Sequence, residues 1–146
     1  MKVLIVCTGN TCRSPMLESM LKAYFKTDGL ALSDVEILSA GLEIEDKHIS
    51  ENTRLVLSAH GLEVPDHGAT FCDRSQFEAA DIVFTMTNAQ ADRLALLYGD
   101  NGKIISLATM YGEDIIDPYG RDLKAYEQVY EIFKELIPSI AERICK

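Results

Sequence analysis

The sequence is short of positive charge. Its 146 residues include 14 Lys and Arg against 23 Asp and Glu, which gives a formal net charge of -9. Proteins that bind nucleic acids or anionic membranes need a basic face, so we expect neither nucleic acid nor membrane as a partner. Any anion that the chain binds must therefore be held by donors in one local motif.

The sequence also lacks long apolar runs. No run approaches the roughly 18 residues that mark a membrane-spanning helix, and no basic segment with an apolar stretch behind it suggests a signal peptide. With 47% hydrophobic residues, the chain is long enough for one domain that buries about two-thirds of its unfolded surface. We expect a single domain over residues 1–146, located in the cytoplasm and monomeric.

Cysteine is scarce and irregularly spaced. The four cysteines are Cys7, Cys12, Cys72 and Cys145. This pattern does not suit a disulfide scaffold and fits a reducing compartment. Zinc is the metal alternative for Cys7 and Cys12, but neither a second ligand pair nor a suitably spaced histidine follows. We therefore expect no metal and no other cofactor.

Strand-like and helix-like segments alternate along the chain. Apolar runs of strand length occupy residues 3–6, 35–38, 82–86 and 103–107. Helical spacing of apolar residues covers 15–27, 50–61, 87–98 and a segment that begins near residue 122. Such alternation predicts an α/β fold, with a four-stranded parallel sheet between two layers of helices.

Several local signals refine this prediction. Ser50 and Thr87 are the expected N-caps of the second and third helices, and residues 27–29 should end the first helix. Pro138 should kink or shorten the last helix. Residues 41–49, 64–74 and 108–121 are expected to be irregular, and long loops beside a site are often functional.

The first strand runs into a motif suited to binding an anion. Residues 3–15 read VLIVCTGNTCRSP, so the strand delivers Cys7 to its carboxyl end, where parallel sheets bind ligands. We expect the backbone N–H groups of the loop residues to surround an oxyanion, with a helix N-terminus behind them. These residues are Thr8, Gly9, Asn10, Thr11 and Cys12. The helix N-terminus and Arg13 should also favour the thiolate form of Cys7.

The remaining chemistry is that of phosphoryl transfer. Arg13 can bind two phosphoryl oxygens with its planar guanidinium. Asp117, in the DPYG segment 117–120, can protonate a leaving group and later deprotonate water. Cys7 would attack phosphorus and form a phosphocysteine without a metal. Ser14 can donate a hydrogen bond to the thiolate, and Asn10 tolerates the left-handed backbone that shapes such a loop.

Some of these residues have a second interpretation. Asp117 can be a turn former, because Asp-Pro-x-Gly is itself a turn signal. Cys12 either packs under the loop or forms a reversible disulfide that protects Cys7 from over-oxidation. Glu43, Glu45 and Asp46 are either a solvated face or a patch that attracts basic protein surface.

The segment CTGNTCRSP (residues 7–15), together with DPY (117–119), resembles the low-molecular-weight protein tyrosine phosphatases. The resemblance covers the whole chain and extends to SAG (39–41) and DH (66–67). It implies a flavodoxin-like, three-layer phosphatase domain that acts on phosphorylated proteins. It also implies that Ser39 and His67 join Asn10 in a polar network behind the loop.

Two positions indicate a branch of this family. Tyrosine-specific members usually carry an aliphatic residue at the position of Thr11 and an aromatic residue at the position of Gly120. The loop resembles that of bacterial protein arginine phosphatases, in which the threonine favours a phosphoryl group on a guanidinium. Tyr119, a further substrate-contacting candidate, differs from the Phe typical of that branch.

The resemblance therefore favours a protein arginine phosphatase, with a tyrosine phosphatase as the nearest alternative. Arsenate reduction on the same fold would need a further pair of cysteines to relay a disulfide, whereas Cys72 stands alone in its segment. A binding module without turnover would need neither Cys7 nor Asp117. A nucleotidase would need a glycine-rich loop that ends in Gly-Lys-Ser/Thr, and the sequence has none.

Overall fold

The central feature of the molecule is a parallel sheet of four strands. A computed structural model describes residues 1–27 and 34–145. The strands are β1 (Lys2–Cys7), β2 (Glu36–Gly41), β3 (Ile82–Thr85) and β4 (Ile104–Ser106). They are ordered β2-β1-β3-β4, and all pairs are parallel. The predicted four-stranded parallel sheet is confirmed, although β2 ends at Gly41 and not at residue 38.

Helices cover both faces of the sheet. In the described residues they are α1 (Arg13–Thr27), α2 (Glu51–Ala59), α3 (Arg74–Ala79), α4 (Asn88–Tyr98), α5 (Leu107–Tyr111) and α6 (Leu123–Cys145). Side chains alternate across a strand, so Val3 and Ile5 of β1 pack in one apolar cluster with α1, α2 and α6. Leu4 and Val6 pack in a second cluster with α3 and α4. The three-layer arrangement is therefore confirmed.

The predicted caps are confirmed. The Ser50 side chain accepts a hydrogen bond from the Thr53 N–H group and starts α2, and Thr87 starts α4 with a complete capping box that includes Gln90. Helix α1 begins at Arg13, two residues before the expected start, because a proline is tolerated within the first turn. Of the residues expected to end α1, 28 and 29 lie outside the described part of the chain.

The structure differs from what the sequence indicated at three helices. Helix α6 continues through Pro138 to Cys145 and is not shortened, because Ile140, Ala141 and Ile144 beyond the proline are buried in the core. Residues 107–111 form α5 within a stretch expected to be irregular. Helix α3 was not predicted, although Asp73 caps it; both helices are too short to show helical periodicity.

Candidate active site

A cavity of about 120 Å³ lies at the carboxyl end of β1. Residues 7–13, from the last residue of β1 to the first residue of α1, line it together with Asp117 and Tyr119. The sheet register places Cys7 beside Gly41 of β2. A Cβ atom on Gly41 would lie 2.8 Å from the Thr8 carbonyl oxygen and 3.0 Å from the Asn10 nitrogen. Only glycine therefore lets β2 pack this closely against the loop.

The sulfur of Cys7 is buried among hydrogen-bond donors. Its residue is 2% exposed. The Asn10 backbone N–H donates to Sγ at 3.2 Å, and the Ser14 hydroxyl lies 2.9 Å from it. Ser14 does not line the cavity and contacts the sulfur from behind the loop. The sulfur is thus contacted both by the loop backbone and by a side chain of α1.

Asn10 fixes the shape of the loop. Its backbone is left-handed, with φ 55°, a conformation that asparagine tolerates better than most residues. Its Nδ2 group donates to the Ser14 hydroxyl at 2.7 Å and to the Ser39 hydroxyl at 3.0 Å. Its Oδ1 atom accepts the Thr70 N–H at 2.9 Å. The structure thus places Asn10, Ser14 and Ser39 together behind the loop.

Behind Ser39 lies a buried carboxylate that the sequence analysis did not identify. Glu18 is 0% exposed; its Oε1 atom accepts from the Ser39 hydroxyl at 2.5 Å and lies 2.8 Å from His67 Nε2. Its Oε2 atom accepts from Lys22 Nζ at 2.7 Å. Glu18 is four residues from both Ser14 and Lys22, so the three side chains lie on one face of α1. A charged residue on the inner face of this helix is the sequence signal that could have identified Glu18.

Glu18 and His67 shift each other's protonation. Burial opposes the charge on Glu18, but hydrogen bonds from His67, Lys22 and Ser39 together outweigh it, so the pKa of Glu18 lies below its usual value. The hydrogen bond to Glu18 is the largest influence on His67 and raises its pKa against the effect of burial. Glu18 and His67 therefore support the loop from behind as a hydrogen-bonded pair in which each favours the charged form of the other.

Arg13 and Asp117 are brought together although they lie far apart in the sequence. The Arg13 side chain is 5% exposed, and its Nη2 atom lies 3.6 Å from Asp117 Oδ2. Its Nη1 group donates to the Ile115 carbonyl at 2.8 Å. Asp117 Oδ1 accepts the Tyr119 N–H at 3.1 Å, so Asp117 both forms a turn and faces the cavity. Its side chain remains 54% exposed.

Thr11 and Cys12 form the deep part of the loop, and both are almost fully buried. The Cys12 sulfur lies 3.4 Å from Thr11 Oγ1, 3.3 Å from the Tyr126 hydroxyl and 3.5 Å from the Ser50 hydroxyl. Burial and the hydrogen bond to Cys12 raise the pKa of Tyr126 to about 12, although a bond to Ser50 opposes this. Cys7 and Cys12 are both buried and free of a disulfide in the structure. The possible disulfide between the two stays a prediction.

The outer wall of the cavity is acidic. Glu43, Glu45 and Asp46 line it, and Glu43 accepts a hydrogen bond from Arg93 at 2.7 Å. Tyr119 also lines the cavity and is 53% exposed.

Among the described residues, no group of three or more His, Cys, Asp or Glu is arranged to hold a metal ion. No helix in this part of the chain is long and apolar enough to cross a membrane.

Known proteins have similar sequences and the same fold. Residues 2–146 match the family model described as low molecular weight phosphotyrosine protein phosphatase. The low molecular weight protein-tyrosine-phosphatase PtpB of Staphylococcus haemolyticus is 36% identical over 140 residues, which cover 94% of this chain and 95% of PtpB. The protein-arginine-phosphatase of Bacillus subtilis is 28% identical over an alignment of 164 residues, which covers 100% of this chain and 98% of that protein.

A solved structure agrees with these matches. The YwlE arginine phosphatase, in a mutant with a phosphorylated active-site serine in place of cysteine, superposes with a TM-score of 0.89 at 28% identity. The match covers 100% of this chain and 97% of that one. The chain therefore belongs to the low molecular weight phosphotyrosine protein phosphatase family and is a cysteine-based protein phosphatase.

Proposed function

We propose that this phosphatase removes phosphoryl groups from phosphoarginine residues of proteins through a phosphocysteine on Cys7. The observation that carries the choice of substrate is Thr11, which lines the cavity at a position where tyrosine-specific relatives usually have an aliphatic residue. A hydroxyl at this position accommodates a polar, planar guanidine better than an aliphatic side chain would.

In the first step the Cys7 thiolate attacks phosphorus. An S–P bond forms, the bond between phosphorus and the guanidine nitrogen breaks, and Asp117 transfers its proton to that nitrogen. The loop amides and the N-terminus of α1 bind the phosphoryl oxygens. Arg13 binds two of these oxygens, and its bond to Ile115 holds the guanidinium in place beforehand.

In the second step water hydrolyses the phosphocysteine. Asp117, now a carboxylate, accepts a proton from the water as its oxygen bonds to phosphorus. The S–P bond breaks, which releases inorganic phosphate and regenerates the Cys7 thiolate. The hydrogen bonds from Ser14 and the Asn10 amide stabilise the departing sulfur. The exposed side chain of Asp117 leaves room for the water.

Gly120, which follows the cavity-lining Tyr119, also supports phosphoarginine. Gly120 has φ 76°, and a Cβ atom there would have no neighbour within 4 Å. The site therefore lacks the aromatic residue that tyrosine-specific members usually place at this position, and a phenyl ring has one fewer wall to stack on. The similarity to the Bacillus subtilis protein-arginine-phosphatase is consistent with this substrate.

A tyrosine phosphatase is the second candidate. Tyr119 lines the cavity and is half exposed, so it can stack against a phenyl ring. PtpB of Staphylococcus haemolyticus, with 36% identity, is named a tyrosine phosphatase. Arsenate reduction has less support, because Cys72 is buried in the apolar cluster on the opposite face of the sheet from α1.

Substrate comparison tests the proposal. The purified protein is incubated in EDTA and dithiothreitol with one carrier protein bearing either phosphoarginine or phosphotyrosine, and kcat/KM is measured for each. We expect a preference for phosphoarginine, and no turnover by the Cys7→Ser variant. A preference for phosphotyrosine would assign the second candidate, and absence of turnover with both would indicate a module that only binds.

A further inference from the structure

The turn between β3 and α4 contacts the segment that carries Asp117. The Met86 carbonyl accepts the Ile115 N–H at 3.1 Å, and the Asn88 N–H donates to Asp114 Oδ1 at 3.1 Å. Both bonds lie within three residues of Asp117 in the sequence. The position of the proposed proton donor thus depends on the turn that starts α4.

Gln90 connects the same turn to the anion-binding loop. Its side chain is almost fully buried. Its Oε1 atom accepts the Met86 N–H at 2.9 Å and the Thr87 N–H at 3.2 Å, and its Nε2 group donates to Thr8 Oγ1 at 3.0 Å. Two backbone donors define the oxygen end of the amide, so the NH₂ end must face Thr8. A capping box alone needs only the bond to Thr87.

We propose that Gln90 is a positioning residue for the phosphate-binding loop and acts through the Thr8 hydroxyl. The Thr8 carbonyl accepts the Glu43 N–H at 2.8 Å. With Gln90 on its side chain, Thr8 is held at two points beside Cys7. Loop donors that are fixed before the anion arrives bind it without a further ordering cost. This inference rests on the proposed phosphate-binding role of the loop and does not depend on whether the substrate is phosphoarginine or phosphotyrosine.

Tungstate, a phosphate mimic, gives a direct test by calorimetry because its binding needs no turnover. Thr8→Val removes the acceptor at constant shape, Thr8→Ser keeps it, and Gln90→Met removes the donor. We expect Thr8→Val and Gln90→Met each to weaken tungstate binding about three- to tenfold, the equivalent of one hydrogen bond. Thr8→Ser, which keeps the acceptor, should recover most of the affinity that Thr8→Val loses.

The double variant separates positioning from general stability. Thr8→Val with Gln90→Met should bind tungstate no more weakly than the weaker single variant, because both changes remove one interaction. Gln76→Met is the matched control, since Gln76 occupies the same N3 position of α3 and does not line the cavity. It should leave tungstate affinity unchanged.

Several results would overturn this role. They are wild-type affinity in Thr8→Val, additive losses in the double variant, or a Gln90→Met variant with a lower Tm and unchanged affinity. If Gln90→Met does not fold, the comparison of Thr8→Val with Thr8→Ser decides alone. The two proposals can also fail separately. If the variants weaken tungstate binding as expected but the wild type does not hydrolyse phosphoarginine, the positioning role of Gln90 stands and the proposed substrate is rejected.

Discussion

Replacement of Asn10 should separate the two ways in which it shapes the loop. Asn10→Ala removes three side-chain hydrogen bonds, to Ser14, Ser39 and the Thr70 N–H. At about 1 kcal/mol each, these bonds contribute about 3 kcal/mol to the free energy of unfolding. The left-handed backbone at φ 55° costs alanine about 1 kcal/mol more. Asn10→Ala should therefore lose about 4 kcal/mol of stability.

Asn10→Gly provides the comparison, because glycine loses the same bonds without the backbone cost. It should be about 3 kcal/mol less stable than the wild type and about 1 kcal/mol more stable than Asn10→Ala. Urea unfolding measures these differences, with the exposed Asn101 changed to alanine as a control. Equal stability of the two Asn10 variants, or a loss below about 1 kcal/mol in Asn10→Ala, would refute the reasoning.

Three further predictions follow from other contacts. The pKa of His67 in the folded protein lies above its usual value of 6.5. Its pairing with Glu18 therefore stabilises the fold fully below pH 6.5, and this contribution is lost as the pH rises through the pKa of the folded protein. The lowered pKa of Glu18 keeps the carboxylate charged above pH 4.5. In urea unfolding, the stability lost by His67→Gln should be greatest between these two values, and a loss independent of pH would contradict the pairing. Asp117→Asn should lower kcat by about 10²–10⁴; wild-type kcat on both phosphoproteins would exclude Asp117 as the proton donor. Gly41→Ala should lower kcat/KM by up to about 100-fold, because its Cβ would lie 2.8 Å from the Thr8 carbonyl oxygen, and unchanged kinetics would show that the loop does not depend on this close approach.

The sequence predicted the parts of the site that are contiguous or chemically distinctive. Cys7 and Arg13 lie in one loop, so their types and spacing predicted an anion site, and the structure places both on one cavity. Asp117 was found as a carboxyl in the segment after the fourth strand and through the family resemblance. Ser39 and His67 were found through the resemblance alone, because a single Ser or His carries no local signal.

The sequence did not show Glu18 or Gln90, because their roles come from tertiary contacts. Glu18 meets His67 across 49 residues, and Gln90 meets Thr8 across 82 residues. The continuation of α6 beyond Pro138 to Cys145 also depends on packing, since burial of the helix outweighs the local cost of the proline. Patterns of neighbouring residues therefore did not predict these features, because contacts between residues distant in the sequence determine them.

The most direct test of the central claim is the Thr11→Ile variant, assayed on one carrier protein bearing phosphoarginine or phosphotyrosine. If Thr11 selects the guanidine, the ratio of kcat/KM for phosphoarginine to that for phosphotyrosine should fall by about 10- to 200-fold. The stability of the variant should be measured alongside, because the Thr11 carbonyl accepts bonds from the Ser50 N–H and the Thr53 hydroxyl. A folded Thr11→Ile protein with an unchanged ratio would contradict the proposed basis of substrate choice.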